Sequence, residues 1–182
     1  DREQNFKDHG KVSYSYDAMS SSNSYASSVP YEAEKEIITA VEIGKKIKPV
    51  SISSWFKELN SVEKADLSNV DTSSITSMYQ VFYEFGANQV SGGLQLDLKS
   101  WDVSKVTNMS YMFYGSAFSF LDLDATGWDT EKVTDMSYMF ATHVPAPVST
   151  SLSITGLDGW STENVTDMSF MFFCNGAGPY LD

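Results

Sequence analysis

Apolar and polar residues alternate at three places in the chain, and each time the rhythm then changes. Leu94, Leu96 and Leu98 alternate with Gln95, Asp97 and Lys99; Leu121 and Leu123 flank Asp122; Leu152 and Ile154 flank Ser153. A period of two over so few residues predicts a short strand with one buried face. A turn follows, through a Trp and a Ser/Thr/Asp-rich stretch, and the period lengthens. Val106, Met109, Met112 and Phe113 stand at i, i+3, i+6 and i+7, one face of a helix. This spacing predicts a short helix stopped near Gly115 and capped by Thr107 or Asn108. Asp135 and Asp167 put a negative charge at the matching N-termini.

Both rhythms belong to a repeat. Trp101–Phe113 (WDVSKVTNMSYMF) returns as Trp128–Phe140 (WDTEKVTDMSYMF) and Trp160–Phe172 (WSTENVTDMSFMF), and in weaker form as Val70–Phe82. A fainter copy ends at Phe56. The closing Phe residues, 56, 82, 113, 140 and 172, set a base unit of about 26 residues. The extra residues fall at Tyr83–Gly93, Tyr114–Phe120 and Ala141–Ser151, which read as projecting loops. A unit this small cannot bury an apolar face alone and must pass it to a neighbour. The repeated columns are therefore the expected core: Trp101, Met109, Met112, Phe113, Trp128, Met136, Met139, Phe140, Trp160, Met168, Met171 and Phe172. Met fits such a role because a flexible thioether fills irregular gaps.

Strand, turn, short helix and turn predict an α/β fold: a leucine-rich-repeat-like, right-handed solenoid of short parallel strands plus short helices. It occupies residues 51–182 as four to five coils. Residues 1–50 differ in composition and read as an N-terminal β-rich cap. Within them Lys11–Met19 alternates as a strand, Ser20–Ser28 is a Ser-rich loop, and Ile37–Val41 with Ile43 and Ile47 forms one or two strands. A separate small domain is the alternative. Pro49 interrupts these strands before a first short helix near Ser53–Leu59. The closing Leu181-Asp182 reads as the opening of another Leu-Asp strand, so repeats are expected past Asp182.

The string V-T-[ND]-M-S-[YF]-M-F, with W-D-[TV] before it, resembles the 26-residue repeat of BspA-like bacterial surface proteins, relatives of leucine-rich-repeat proteins. The likeness covers about residues 48–182. It departs from the pattern in the first two units, where Val70 replaces Trp, Tyr79-Gln80-Val81 replaces Ser-Tyr-Met, and Ile52 replaces Met. The resemblance implies an extracellular location on a bacterial cell surface, as a lipoprotein or wall-anchored protein. It implies adhesion through protein–protein contact, with a host matrix protein or another bacterial surface as partner. It supplies no catalytic residues.

Charge narrows the partner. The net charge is −12, and it is uneven. Residues 1–50 carry eight acidic and seven basic side chains; residues 51–182 carry sixteen and five. An acidic repeat body argues against nucleic acid, whose phosphates need Lys and Arg. It favours a partner with basic patches. No apolar run is long enough to span a membrane.

Candidate chemistry is sparse, and no catalytic, cofactor or metal residue is expected. Cys174 stands alone and reads as a small buried residue. His9 and His143 lack ligand spacing, no G-x-S-x-G is present, and Gly92-Gly93 and Gly176-Ala177-Gly178 lack the pattern of a phosphate loop. The carboxylates are more informative. Asp66, Asp97 and Asp122 lie between apolar strand residues and should face solvent; with Lys99 they are the candidate partner-binding residues. In a stack they would form ladders of like charge, and cations or a basic partner would relieve them. Asp71, Asp102 and Asp129 follow the Trp position and read as turn-capping residues that accept backbone N–H groups. Tyr14, Tyr16, Tyr25 and Tyr31 lie outside the repeats and carry the alternative function, a lectin-like module binding glycans.

Overall fold

The computed structural model describes residues 31, 33–88, 94–116, 120–142, 151–173 and 180–181. The strands are short and parallel and lie in two small sheets. β1 (Ala40–Glu42) pairs with β2 (Lys64–Asp66). β3 (Leu94–Asp97), β4 (Phe120–Asp124), β5 (Ser151–Thr155) and β6 (Tyr180–Leu181) follow one another in a four-stranded sheet. Register places Leu94, Leu121 and Leu152 in one row and Leu96, Leu123 and Ile154 in the next. Strands one repeat apart therefore become neighbours, as the sequence period requires.

The Ile37–Val41 run contributes β1. The expected strand at Lys11–Met19 and loop at Ser20–Ser28 lie outside the described residues, as do Cys174, His9 and His143. Of the three inserts, residues 89–93, 117–119 and 143–150 lie outside them too. Helix is scarce: among the described residues only two single 3-10 turns occur, Lys35–Ile37 and Leu157–Gly159.

The helices expected over Val106–Phe113 and near Ser53–Leu59 are instead chains of tight turns. Met112 N–H donates to the Met109 carbonyl at 3.2 Å, with Tyr111 at φ 57. Positive φ at the third residue alone marks a type II turn. Two more turns overlap it: Tyr114 N–H to the Tyr111 carbonyl, and Ser116 N–H to the Phe113 carbonyl with Gly115 at φ 68. The first turn recurs with Ser54, Gln80, Tyr138 and Phe170 at the left-handed position, φ 55 to 59.

The physical reason lies in where the N–H groups go. A helix would keep them within the segment. Here Met109, Tyr111, Phe113 and Gly115 donate to the carbonyls of Asp135, Ser137, Met139 and Ala141 in the next unit, at 2.8 to 3.0 Å. Met136, Tyr138, Phe140 and Thr142 repeat this toward Asp167, Ser169, Met171 and Phe173. A side chain starts each turn. Asn108 Oδ1 accepts from both the N–H and hydroxyl of Ser110, and Asp135 does the same with Ser137. Such local bonds compete with helix formation.

Threonine adds a second rung. The N–H and hydroxyl of Thr107 both donate to the Thr76 carbonyl; Thr134 repeats this toward Thr107, and Thr166 toward Thr134.

Left-handed backbone costs a non-glycine residue on the order of 1–2 kcal/mol. Ring stacking offsets it. Tyr111 lies 4.7 Å from Tyr138, and Tyr138 4.9 Å from Phe170. Inside, Phe56, Phe82, Phe113, Phe140 and Phe172 form a near-parallel column with centroids 5.3 to 5.5 Å apart. Close backbone packing shows at Gly156, φ 95, where a Cβ would meet the Thr126 backbone at 2.6 Å.

Trp101, Met109, Met112, Phe113, Trp128, Met136, Met139, Phe140 and Met171 are buried. Trp160 is half-buried, stacked on Trp128 at 5.8 Å. Met168 and Phe172 correct the expected core: they are 45% and 41% exposed, because no further set of turns lies on the last unit among the described residues. At the other end, buried Tyr31 donates its hydroxyl to the Trp55 carbonyl.

Candidate interaction surface

Leu94, Leu96 and Leu123 are buried from the strands. Asp97, Asp122, Ser153 and Thr155 are exposed, and Asp124 is half-buried. Asp66, on β2, is exposed as well. Parallel pairing spaces neighbouring outward residues about 4.8 Å apart.

Register corrects the expected carboxylate ladder. Asp97 stands beside Asp124, not Asp122; Asp122 stands beside Gln95 and Ser153. Asp66 pairs with Glu42. The extra residues before Trp128 shift which aspartates meet. Lys99, a candidate partner-binding residue, is engaged within the sheet: its Nζ lies 2.8 Å from Asp124 Oδ2. That contact relieves the repulsion between Asp97 and Asp124. It pulls Asp124 down to about 2, helped by the hydroxyl and N–H of Thr126, and raises Lys99 above the usual lysine range. Asp97 Oδ1 also accepts the Lys99 N–H at 3.2 Å. Asp122 stays exposed and carries no such cation partner among the described contacts.

The aspartates after the Trp position serve their turns. Asp71 and Asp102 accept from the N–H and hydroxyl of Ser73 and Ser104, and Asp129 accepts from the Glu131 N–H. The serine hydroxyls hold Asp71 and Asp102 below the ordinary carboxylate range, and Ser68 does the same for Asp66.

A second surface, missed by the sequence reading, runs along the turns. Tyr79, Tyr111 and Tyr138 are half-buried in one column, beside the stacked pair Tyr83 and Tyr114 at 4.9 Å. Lys57 Nζ sits 4.8 Å from the Tyr83 ring centroid. Burial, then the Glu84 carboxylate, pushes Tyr83 up to about 12. Tyr111 and Tyr138 spend ring faces on each other, as do Tyr83 and Tyr114, while Tyr79 meets Tyr111 edge-on. The recurring Y or F two residues after Met109, Met136 and Met168 was the available signal. It was hard to read because a helix would have pointed it elsewhere.

For glycan binding, Tyr14, Tyr16 and Tyr25 lie outside the described residues. Tyr31 is buried with its hydroxyl engaged, so it offers no stacking platform. Among the described residues, no three His, Cys, Asp or Glu side chains converge as a metal site, and no helix is long and apolar enough to cross a membrane.

A family model described as "Mycoplasma protein of unknown function, DUF285" matches residues 50–173. The match spans well over half of the chain, and the chain belongs to that family. No curated protein and no solved structure matches it.

Proposed function

We propose that this member of the DUF285 family is a non-enzymatic binding module of a bacterial cell surface, acting in adhesion through protein–protein contact. In this reading the stacked units form a right-handed, leucine-rich-repeat-like solenoid of the BspA-like kind, with residues before 51 as its cap. The repeated residues are spent on stacking, and the outward strand positions are free for a partner. The observation that carries the reading is the acidic outer face of the four-stranded sheet, with Asp97 and Asp122 exposed on a rigid ladder. An acidic face speeds encounter with a basic partner and sets its orientation. The partner class is therefore a protein with a basic patch, on host matrix or on another bacterial surface.

The test is an array of matrix proteins and glycans probed with the whole chain. Protein hits that weaken as salt rises are expected, since the screening length falls from about 10 Å at 0.1 M to about 3 Å at 1 M. The double variant Asp97→Lys with Asp122→Lys should lose those hits. Binding indifferent to salt and to both substitutions would remove the sheet face from consideration. Glycan hits alone would favour the lectin-like alternative.

A further inference from the structure

We propose that a groove between the first two repeat units is a binding site for a neutral sugar ring of a glycan. It opens where the repeat is short. Ile47 precedes Phe56 by nine residues, whereas Val70, Trp101, Trp128 and Trp160 precede Phe82, Phe113, Phe140 and Phe172 by twelve. Both ends of the short stretch are pinned, because Ile47 bridges Val70 and Phe56 stacks on Phe82. Between these points the first unit lacks the residues that would cover its neighbour.

The hydrogen bonds mark the opening. Thr107, Thr134 and Thr166 each donate N–H and hydroxyl to the threonine carbonyl one unit back. Thr76 holds the same position, yet neither group reaches the Val50 carbonyl, and its hydroxyl has no partner among the described residues. The N–H groups of Met78, Met109 and Met136 donate forward to Asn108, Asp135 and Asp167; Ile52, their counterpart, makes no such bond to Ser77. The row of bridges through Asp167, Asp135 and Asn108 ends at Ser77. Among the described residues the Ser77 carbonyl meets only the Ser53 hydroxyl, at 3.5 Å.

The groove measures about 500 Å³, within the roughly 300–1,000 Å³ of small-molecule sites. Val50 and Ile75 give it apolar surface, and Tyr79 gives it a ring. Ser51, Ser53, Thr76, Ser77 and Asn108 add hydroxyls and an amide. Asn108 Oδ1 is taken by Ser110, which leaves its Nδ2 hydrogens to donate. Tyr79 meets Tyr111 edge-on at 6.1 Å and, alone among the described tyrosines of this surface, stacks parallel on no other ring.

This set selects its ligand. A sugar ring combines an apolar face of C–H groups with hydroxyls around its edge, each both donor and acceptor. The Tyr79 ring suits the face; the hydroxyls and open backbone groups suit the edge. Among the described residues no charged side chain lines the groove. It lies at the uncharged end of the row that continues into Asp135 and Asp167, and the net charge of −12 works against an anionic sugar. An extended peptide fits poorly, because intact rungs close both ends: Asp71 N–H to the Ile47 carbonyl at 2.8 Å, and Ser54 N–H to the Tyr79 carbonyl at 3.0 Å. The groove shares no residue with the acidic sheet face, so either proposal can fail without the other.

The experiment titrates the whole chain with glucose, galactose, mannose, N-acetylglucosamine and lactose, and with sialyllactose as the anionic comparison, at low and high salt. Saturation-transfer NMR reads the binding. At least one neutral sugar should bind in the millimolar range, with an affinity that salt does not change. Tyr79→Ala should weaken that binding about tenfold. Thr76→Val should weaken it about threefold and leave the thermal midpoint unchanged, because the lost hydroxyl holds nothing in the free chain. If Tyr79→Ala also lowers the midpoint, Thr76→Val decides. The absence of neutral-sugar binding would overturn the proposal. So would binding that neither substitution weakens, binding that fades with salt, or a preference for sialyllactose over lactose.

Discussion

Residues 106–113 and 165–172 carry almost the same string, differing only at Asn108 against Asp167 and Tyr111 against Phe170. Both fold into the same turns, with φ 57 at Tyr111 and 56 at Phe170. Yet Met109 and Phe113 are sealed from solvent, while Met168 and Phe172 are exposed. Local conformation follows the string, and burial follows the neighbour. In this chain a side chain's energetic weight depends on its place in the stack more than on its identity.

Phenylalanine truncation should separate the two regions most widely. Phe113→Ala empties a site with rings on both sides and should cost about 3–5 kcal/mol in urea unfolding. Phe172→Ala should cost well under half of that, since its outer side already meets water. Equal losses would mean that the last unit is as well packed as the middle.

The left-handed aromatics give a subtler contrast. Tyr138→Gly relieves backbone strain but deletes a ring stacked on two others, for a net loss of about 1 kcal/mol. Phe170→Gly loses one stacked ring, Tyr138, and the edge contact with Phe173 at an exposed site, and should be neutral or stabilising. Thermal midpoints for the pair would show whether the opposite signs hold.

Threonine should erase the contrast. The Thr134 and Thr166 hydroxyls both donate backward, to the preceding unit. Thr134→Val and Thr166→Val should each cost about 0.5–1.5 kcal/mol. A much smaller cost at Thr166 would mean that the last unit is loosely attached on its inner side as well.

Acid should have the mildest effect, because Asp167 is exposed and Asp124 only half-buried. Asp124 in the middle, held low mainly by Lys99, and Asp167 at the end, held low by Ser169, both have folded values below the unfolded one. Their stabilisation is present above the unfolded value and lost as pH falls through the folded one. For Asp124 the window runs from about 4 to about 2. Asp124→Asn should flatten the pH dependence of the urea midpoint across that window; an unchanged slope would deny the Lys99 contact its role.

The sequence by itself determined the period, the strand rows and most of the core. An apolar residue repeated every 26 or so positions has to meet its own copy. Leu94, Leu121 and Leu152 met in that way, as did the Phe column. It also marked Asp71, Asp102 and Asp129 as turn residues, since their bonds reach only two residues along the chain. Three things were decided by tertiary structure. The Val106–Phe113 spacing suits a helix, but the N–H groups that would build one find acceptors in the next unit, and no single unit shows that choice. Which aspartates become neighbours depended on insert lengths, which put Asp97 beside Asp124 and drew Lys99 between the strands. The exposure of Met168 and Phe172 depended on whether another unit lies on them, and among the described residues none does. Local bonds are written in adjacent residues, whereas partners a full repeat away are fixed only when the units stack.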